Sequence, residues 1–212
     1  MINNIEVFTQ NSIRIKGADN VIYADTFEMS EEPKDADYIF VTHDHYDHFS
    51  PKDIEKVACD KTILIVPEKM AKKAKEAEGF VKEIFTVKPG EQYEVNGLKF
   101  ETVRSYNIMK PFHPKSCDYV GYIITVDGKR IYVAGDMDET PESKEVKCDV
   151  ALVPIGGFYT MDAKKAADLI NIIKPEVAIP THYGSIVGSK KDADDFKKLV
   201  NEPTIVEILM KL

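Results

Sequence analysis

Short apolar runs alternate with turn residues along this chain, and their period distinguishes strands from helices. Near the start, Ile5-Glu-Val-Phe8, Ser12-Ile-Arg-Ile15 and Val21-Ile-Tyr-Ala24 show the alternation and β-branched content of short antiparallel strands. Turn residues at Lys16-Gly17 and Asn20 separate them. Tyr38-Ile-Phe-Val41 and Thr62-Ile-Leu-Ile-Val66 are apolar throughout, as strands covered on both faces are. Ser50-Pro51 predicts a helix start, with serine as cap and proline at the first position; Ile54, Val57 and Ala58 form its inner face. Pro67 to Glu78 reads as one helix whose Lys- and Glu-rich outer face is a solvated charge run.

A second half begins near Phe85 and repeats the plan. Tyr93-Glu-Val and Leu98-Lys-Phe100 flank Asn96-Gly97, a hairpin signal. Tyr119 to Val126 and Arg130 to Val133 flank Asp127-Gly128 in the same way. Asp149-Val-Ala-Leu-Val153 and Val177-Ala-Ile179 are further buried strands. Asp162 to Ile173 is an amphipathic helix with Ala166, Leu169, Ile170 and Ile173 inward, ending before Lys174-Pro175. Lys190 to Val200 is a last helix and Thr204 to Leu209 a closing strand. Strands lead each half and helices follow, which predicts two packed sheets with helices outside. The 212 residues are enough for one domain with a full core, taken over 1–212.

Chemistry concentrates where three of the buried strands end. Tyr38–Val41 runs into His43-Asp-His45-Tyr-Asp47-His48, which holds three of the five histidines. Imidazole nitrogen and carboxylate oxygen are the donors that zinc, manganese and iron accept. In extended backbone His43 and His45 point to one side and can share a metal, while the alternation turns Asp44 away. A turn after them lets Asp47 and His48 address a second metal. Ile131-Tyr-Val-Ala134 stops at Gly135-Asp136, and Val177–Ile179 stops at Pro180-Thr181-His182-Tyr183-Gly184. Asp136 could bridge two metals with its two oxygens, and His182 could close the second site.

Taken in order, His43-x-His45-x-Asp47-His48, Gly135-Asp136 and His182 resemble the metallo-β-lactamase superfamily over nearly the whole chain. Gly121-Tyr122, Arg130-Ile-Tyr, Ala134-Gly-Asp136 and Pro154-Ile-Gly-Gly-Phe-Tyr159-Thr-Met161 look most like a branch of small metal-dependent hydrolases. That branch contains the ascorbate-6-phosphate lactonases and relatives of N-acyl-phosphatidylethanolamine phospholipase D. The resemblance implies an αββα sandwich of the metallo-β-lactamase type with a dinuclear hydrolase site at one edge. It places His43 and His45 on the first metal, Asp47, His48 and His182 on the second, and Asp136 between them. The third imidazole that much of the superfamily gives the first metal is missing from its usual place. The matching strand ends at Ser105-Tyr106-Asn107, so either the Asn107 carbonyl or His113, six residues on, completes the first site, His113 as ligand or as a substrate-binding acid.

The implied reaction is hydrolysis of a phosphodiester or lactone by a metal-bound hydroxide, its pKa lowered from about 15.7 to about 7. Two divalent ions, zinc first and manganese or iron as alternatives, would serve it. Asp47 or Asp136 would take the proton, and Tyr159 would hydrogen-bond the oxyanion. The rival reading is a non-catalytic metal- or nucleotide-binding module with a weakened first site. A di-iron redox role fits less well, because that branch replaces the second histidine of the motif by glutamate and His45 is retained here.

Charge and composition narrow the partners. A net charge of −8 argues against nucleic acid, and no apolar stretch approaches the roughly 20 residues of a membrane span. Three scattered cysteines suit a reduced, cytoplasmic protein without a disulfide framework. The partner expected is a small molecule, with Arg104, Lys110 and Lys115 as candidates to hold an anionic group. Oligomeric state stays open.

Overall fold

A computed structural model describes residues 4–210, which form two facing sheets with helices on the outer sides. The first sheet contains β1 (Ile5–Val7), β2 (Ile13–Lys16), β3 (Val21–Ala24), β4 (Tyr38–Phe40), β5 (Ile63–Pro67) and β6 (Glu83–Val87), side by side in chain order. Pairing is antiparallel from β1 to β3 and parallel from β3 to β6. The second sheet runs from β7 (Gln92–Val95) through β8 (Leu98–Arg104), β9 (Val120–Val126), β10 (Lys129–Val133), β11 (Val150–Pro154) and β12 (Val177–Thr181) to β13 (Ile205–Val206). It too changes hand of pairing, antiparallel up to β10 and parallel beyond.

The apolar runs explain the layers. In β4 and β5, Tyr38, Phe40, Ile63 and Ile65 face the core shared by the two sheets. Ile39, Val41, Leu64 and Val66 alternate to the other face and meet α1 (Pro51–Val57) and the segment around α2 (Ala71–Ala74). Every one of these eight side chains is buried, so neither face of the strands could be polar. Between the sheets the ring of Phe40 meets Phe100 at 5.1 Å and Tyr122 at 4.9 Å, both edge-on. After the short α3 (Pro141–Lys144), α4 (Ala163–Ile173) and α5 (Lys190–Leu199) cover the second sheet with Ala166, Leu169, Ile170, Ile173, Ala193 and Phe196. This is the αββα arrangement.

Three local expectations need correction. Pro67 to Glu78 is not one helix: β5 keeps Pro67, then 3-10 turns at Glu68–Met70 and Lys75–Phe80 flank the four-residue α2. No side chain caps α2 at its start, and burial of Met70, Ala74 and Ala77 against the sheet sets its path instead. The closing strand is only Ile205–Val206, because β12 offers partners to those two residues alone. Glu83–Val87 pairs along β5 as an edge strand, which its half-exposed, charged pattern concealed. The Ser50 cap forms as expected, its hydroxyl accepting from the Asp53 amide.

β3 and β4 run parallel, as do β10, β11 and β12, so their carboxyl ends gather at one edge of the sandwich. The loops after them carry the titratable motifs. Among the described residues no helix is long and apolar enough to cross a membrane, and Cys59, Cys117 and Cys148 are free thiols.

Candidate metal centre

The loop after β4 builds half of the centre. Its amides at His48 and Phe49 both turn back onto the His45 carbonyl, at 3.1 and 2.8 Å. This tight turn sends His43 and His45 one way and Asp47 and His48 the other. The loop after β10 needs Gly135: its φ is +67°, and a Cβ there would lie 2.8 Å from Cβ of Thr42. Glycine thus lets Asp136 tuck against the His43 loop. His182 follows β12 with φ +56°, and its amide donates to the Gln10 carbonyl at 2.8 Å. Asp25 after β3 (φ +46°) and His113 (φ +57°) share this left-handed backbone. Such conformations cost a non-glycine residue energy and cluster where function constrains the chain.

Two groups of donors result, joined by one carboxylate. Nε2 of His48, Nε2 of His182, Oδ2 of Asp47 and Oδ1 of Asp136 enclose one point. His182 lies 3.3 Å from both carboxylate oxygens, and His48 lies 3.3 Å from Asp136 and 3.6 Å from Asp47. Tetrahedral ligands at zinc distances would stand about 3.3 Å apart, so the spacing fits an ion of that size. On the other side His43, His45 and His113 converge, with Nε2 of His113 3.1 Å from Nε2 of His43. The second oxygen of Asp136, Oδ2, lies 3.7 Å from His113. Nε2 of His48 and Oδ1 of Asp136 are fully buried and make no hydrogen bond. Polar atoms orphaned in this way, aimed at one another's lone pairs, are what a cation would satisfy.

The middle-loop alternatives separate spatially. His113 stands among the imidazoles and is 2 % exposed. Asn107 lies behind it, with Nδ2 donating to the Tyr159 carbonyl at 2.7 Å and 3.2 Å from Nδ1 of His113. Tyr159 lines the same cavity, about 640 Å³ in volume, together with Tyr46, Phe112, Tyr119 and Ile186. Arg104, Lys110 and Lys115 do not line it. Arg104 pairs with Asp118, Lys110 with Asp138 at 2.6 Å, and Lys115 with Glu142 at 2.7 Å. The cation on the cavity wall is Lys73, its ammonium donating to the Asp44 carbonyl. The solvated charge run around α2 therefore has one member turned toward the site. Asp44 stays outside both donor groups and accepts from the Tyr119 hydroxyl instead.

Asp25 directly follows β3, and its setting is decisive. Fully buried, it accepts from Nδ1 of His48, the Thr42 amide, the Thr42 hydroxyl and the Asn11 amide group, all at 2.7–2.8 Å. Asn11 in turn accepts from the Thr181 hydroxyl at 2.8 Å. One network thus ties the β1–β2 loop, the loops after β3 and β4, and the end of β12. Electrostatics follow from this burial. Burial, then the neighbouring His48, pushes His43 well down from the ordinary imidazole range; burial also lowers His45, and takes His113 to about 4. For His48, burial is overcome by the carboxylates of Asp136 and Asp25, which raise it. Burial opposes ionisation of Asp136, but His182 and His48 hold it well below the carboxylate range.

With this geometry in view, the family can be read. A family model described as "Beta-lactamase superfamily domain" matches residues 4–182. A UPF0173 metal-dependent hydrolase of Pyrococcus abyssi is 33% identical over 193 residues, 84% of this chain and 80% of its own. One from Aeropyrum pernix is 35% identical over 198 residues, with the same coverages of 84% and 80%. A solved structure from Parabacteroides distasonis, described as a candidate metal-dependent hydrolase, superposes with a TM-score of 0.80 at 28% identity, covering 98% of this chain and 93% of its own. The chain belongs to the metallo-β-lactamase superfamily.

Proposed function

We propose that the protein is a metal-dependent hydrolase working with two divalent ions, on a phosphodiester or lactone of a small molecule. The observation that carries this reading is Asp136, whose Oδ1 lies 3.3 Å from Nε2 of both His48 and His182 while Oδ2 lies 3.7 Å from Nε2 of His113. The names of the Pyrococcus and Aeropyrum relatives support the hydrolase part. In our assignment His43, His45 and His113 hold the first ion, Asp47, His48 and His182 the second, and Asp136 both. Zinc suits these donors best, and manganese or iron are accepted by the same set. Bound there, the ions would supply a water of lowered pKa and polarise the substrate oxygen.

The chain's own residues do the rest. Asp25 fixes the ring of His48 through Nδ1, which leaves Nε2 to ligate. His113 places Nε2 3.1 Å from Nε2 of His43, and burial lowers its pKa to about 4; both favour the ligand role over that of an acid. Asn107 is a positioning residue behind it. Asp47 stands at the cavity wall with one oxygen 3.3 Å from His182 and is the better placed carboxylate to accept a proton, since Asp136 is occupied on both sides. Tyr159 is the candidate donor to the oxyanion. On this assignment His113 completes the first donor group, which favours the hydrolase over a non-catalytic metal- or nucleotide-binding module. We take the protein to act in the cytoplasm on a freely diffusing substrate.

The test is cleavage of bis-p-nitrophenyl phosphate and of a simple lactone. Protein stripped by chelator and reloaded with zinc or manganese should regain cleavage at least about tenfold above the stripped form. His182→Ala, which removes one donor from the second group, should abolish it. If reloaded wild type cleaves neither substrate faster than stripped protein, the hydrolase reading fails.

A further inference from the structure

The loops that carry the donors also carry an apolar rim. Tyr46 lies between His45 and Asp47, Phe112 precedes His113, and Ile186 follows His182 by four residues. These side chains are 65 %, 38 % and 39 % exposed, and all three line the cavity. Large apolar groups left open around a polar site mark a binding surface. The rim is also preassembled. Phe112, Phe158 and Tyr159 form a three-ring cluster with centroids 4.9–6.4 Å apart. On the motif side, Tyr46 packs edge-on against Phe27 at 5.8 Å.

Fixed charge in the cavity offers no rival means of recognition. Asp47 and Asp136 are committed to the ions in our assignment, Asp44 accepts from Tyr119, and Lys73 is the cation among the lining residues. Its ammonium is held by the Asp44 carbonyl. Arg104, Lys110 and Lys115, the cations that could have made an anion cradle, are spent on acidic partners outside the cavity. A volume of about 640 Å³ exceeds what a scissile ester or phosphate group at the donors would fill.

We propose that the site takes a substrate with an apolar acyl or alkyl group next to its scissile bond, held on a ledge formed by Tyr46, Phe112, Tyr159 and Ile186. Only the scissile bond in this statement rests on the hydrolase reading. The ledge itself rests on the rim. Each methylene fully buried there would strengthen binding by about fourfold, and less on an open rim.

The experiment is displacement of 8-anilinonaphthalene-1-sulfonate by n-alkyl hydroxamates of two to eight carbons, in zinc-loaded and in stripped protein. Cleavage of p-nitrophenyl esters of the same chain lengths is measured beside it. Wild type should bind the eight-carbon compound at least about thirtyfold tighter than the two-carbon one. In Phe112→Ala/Ile186→Ser, two exposed positions, that ratio should fall below about fivefold. A flat series, absence of dye binding, or a steep series unchanged in the double variant overturns the ledge. A steep series that the double variant flattens, with no cleavage of any ester, sustains the ledge and counts against the hydrolase reading.

Discussion

Asp136 directs its two oxygens at two separate sets of imidazoles, and the residues around it divide into those a sequence reader could find and those that had to be folded first. His43, His45, Asp47, His48, Asp136 and His182 were legible because each sits just beyond an apolar strand. His113 against Asn107 was not, because the choice depends on how residues 108–115 return, and loop paths leave no periodic trace. Asn11 and Lys73 escaped for a related reason: their partners lie far away in the chain, and a lone polar residue carries no local sign of them; Asp25-Thr-Phe27 was too short a motif to place at the site. His113 yields a prediction at this scale. Its folded pKa near 4 lies below the ordinary 6.5, so the unfolded chain takes up the proton first. Stability from the neutral ring is fully present above pH 6.5 and is lost as pH falls from there toward 4. In metal-free protein the urea midpoint of wild type should therefore drop more between pH 7 and pH 5 than that of His113→Gln. Equal drops would mean that His113 is not buried neutral.

Among the elements, strands were easier to read than the connections between them. The fully buried β4, β5, β11 and β12, apolar but for Thr181, announced themselves, since both of their faces are covered. The segment around α2 looked like one helix because its apolar spacing is nearly helical, yet packing against the sheet breaks it into 3-10 turns. The turns at the strand ends matter most for function, because they hold Asp25, His113 and His182 in left-handed backbone. Gly135 is the turn with the sharpest requirement, having both φ +67° and Thr42 in contact range. Gly135→Ala should cost about 1–3 kcal/mol from backbone strain alone, and more from the contact with Thr42. It should also weaken metal uptake, because Asp136 moves with the turn. Urea denaturation and metal content measure the two effects. Unchanged stability would show that the turn relaxes freely.

Across the whole molecule, each half supplies part of the centre, and neither half could hold it alone. The first sheet brings His43, His45, Asp47 and His48; the second brings His113, Asp136 and His182. The shared core of Phe40, Phe100 and Tyr122 fixes the distance between the sheets, and the Thr181–Asn11–Asp25–His48 network locks the edge where the donors meet. The sandwich was foreseeable from strands leading each half; the locking network was not, since it joins residues 170 apart in the chain. The central claim is that this edge holds two ions, and metal content per chain tests it most directly. Protein purified without chelator, or reloaded with zinc and desalted, should contain two equivalents by elemental analysis. Asp136→Ala should reduce the content of both sites and not of one. A wild-type content of one or none after reloading would contradict the account.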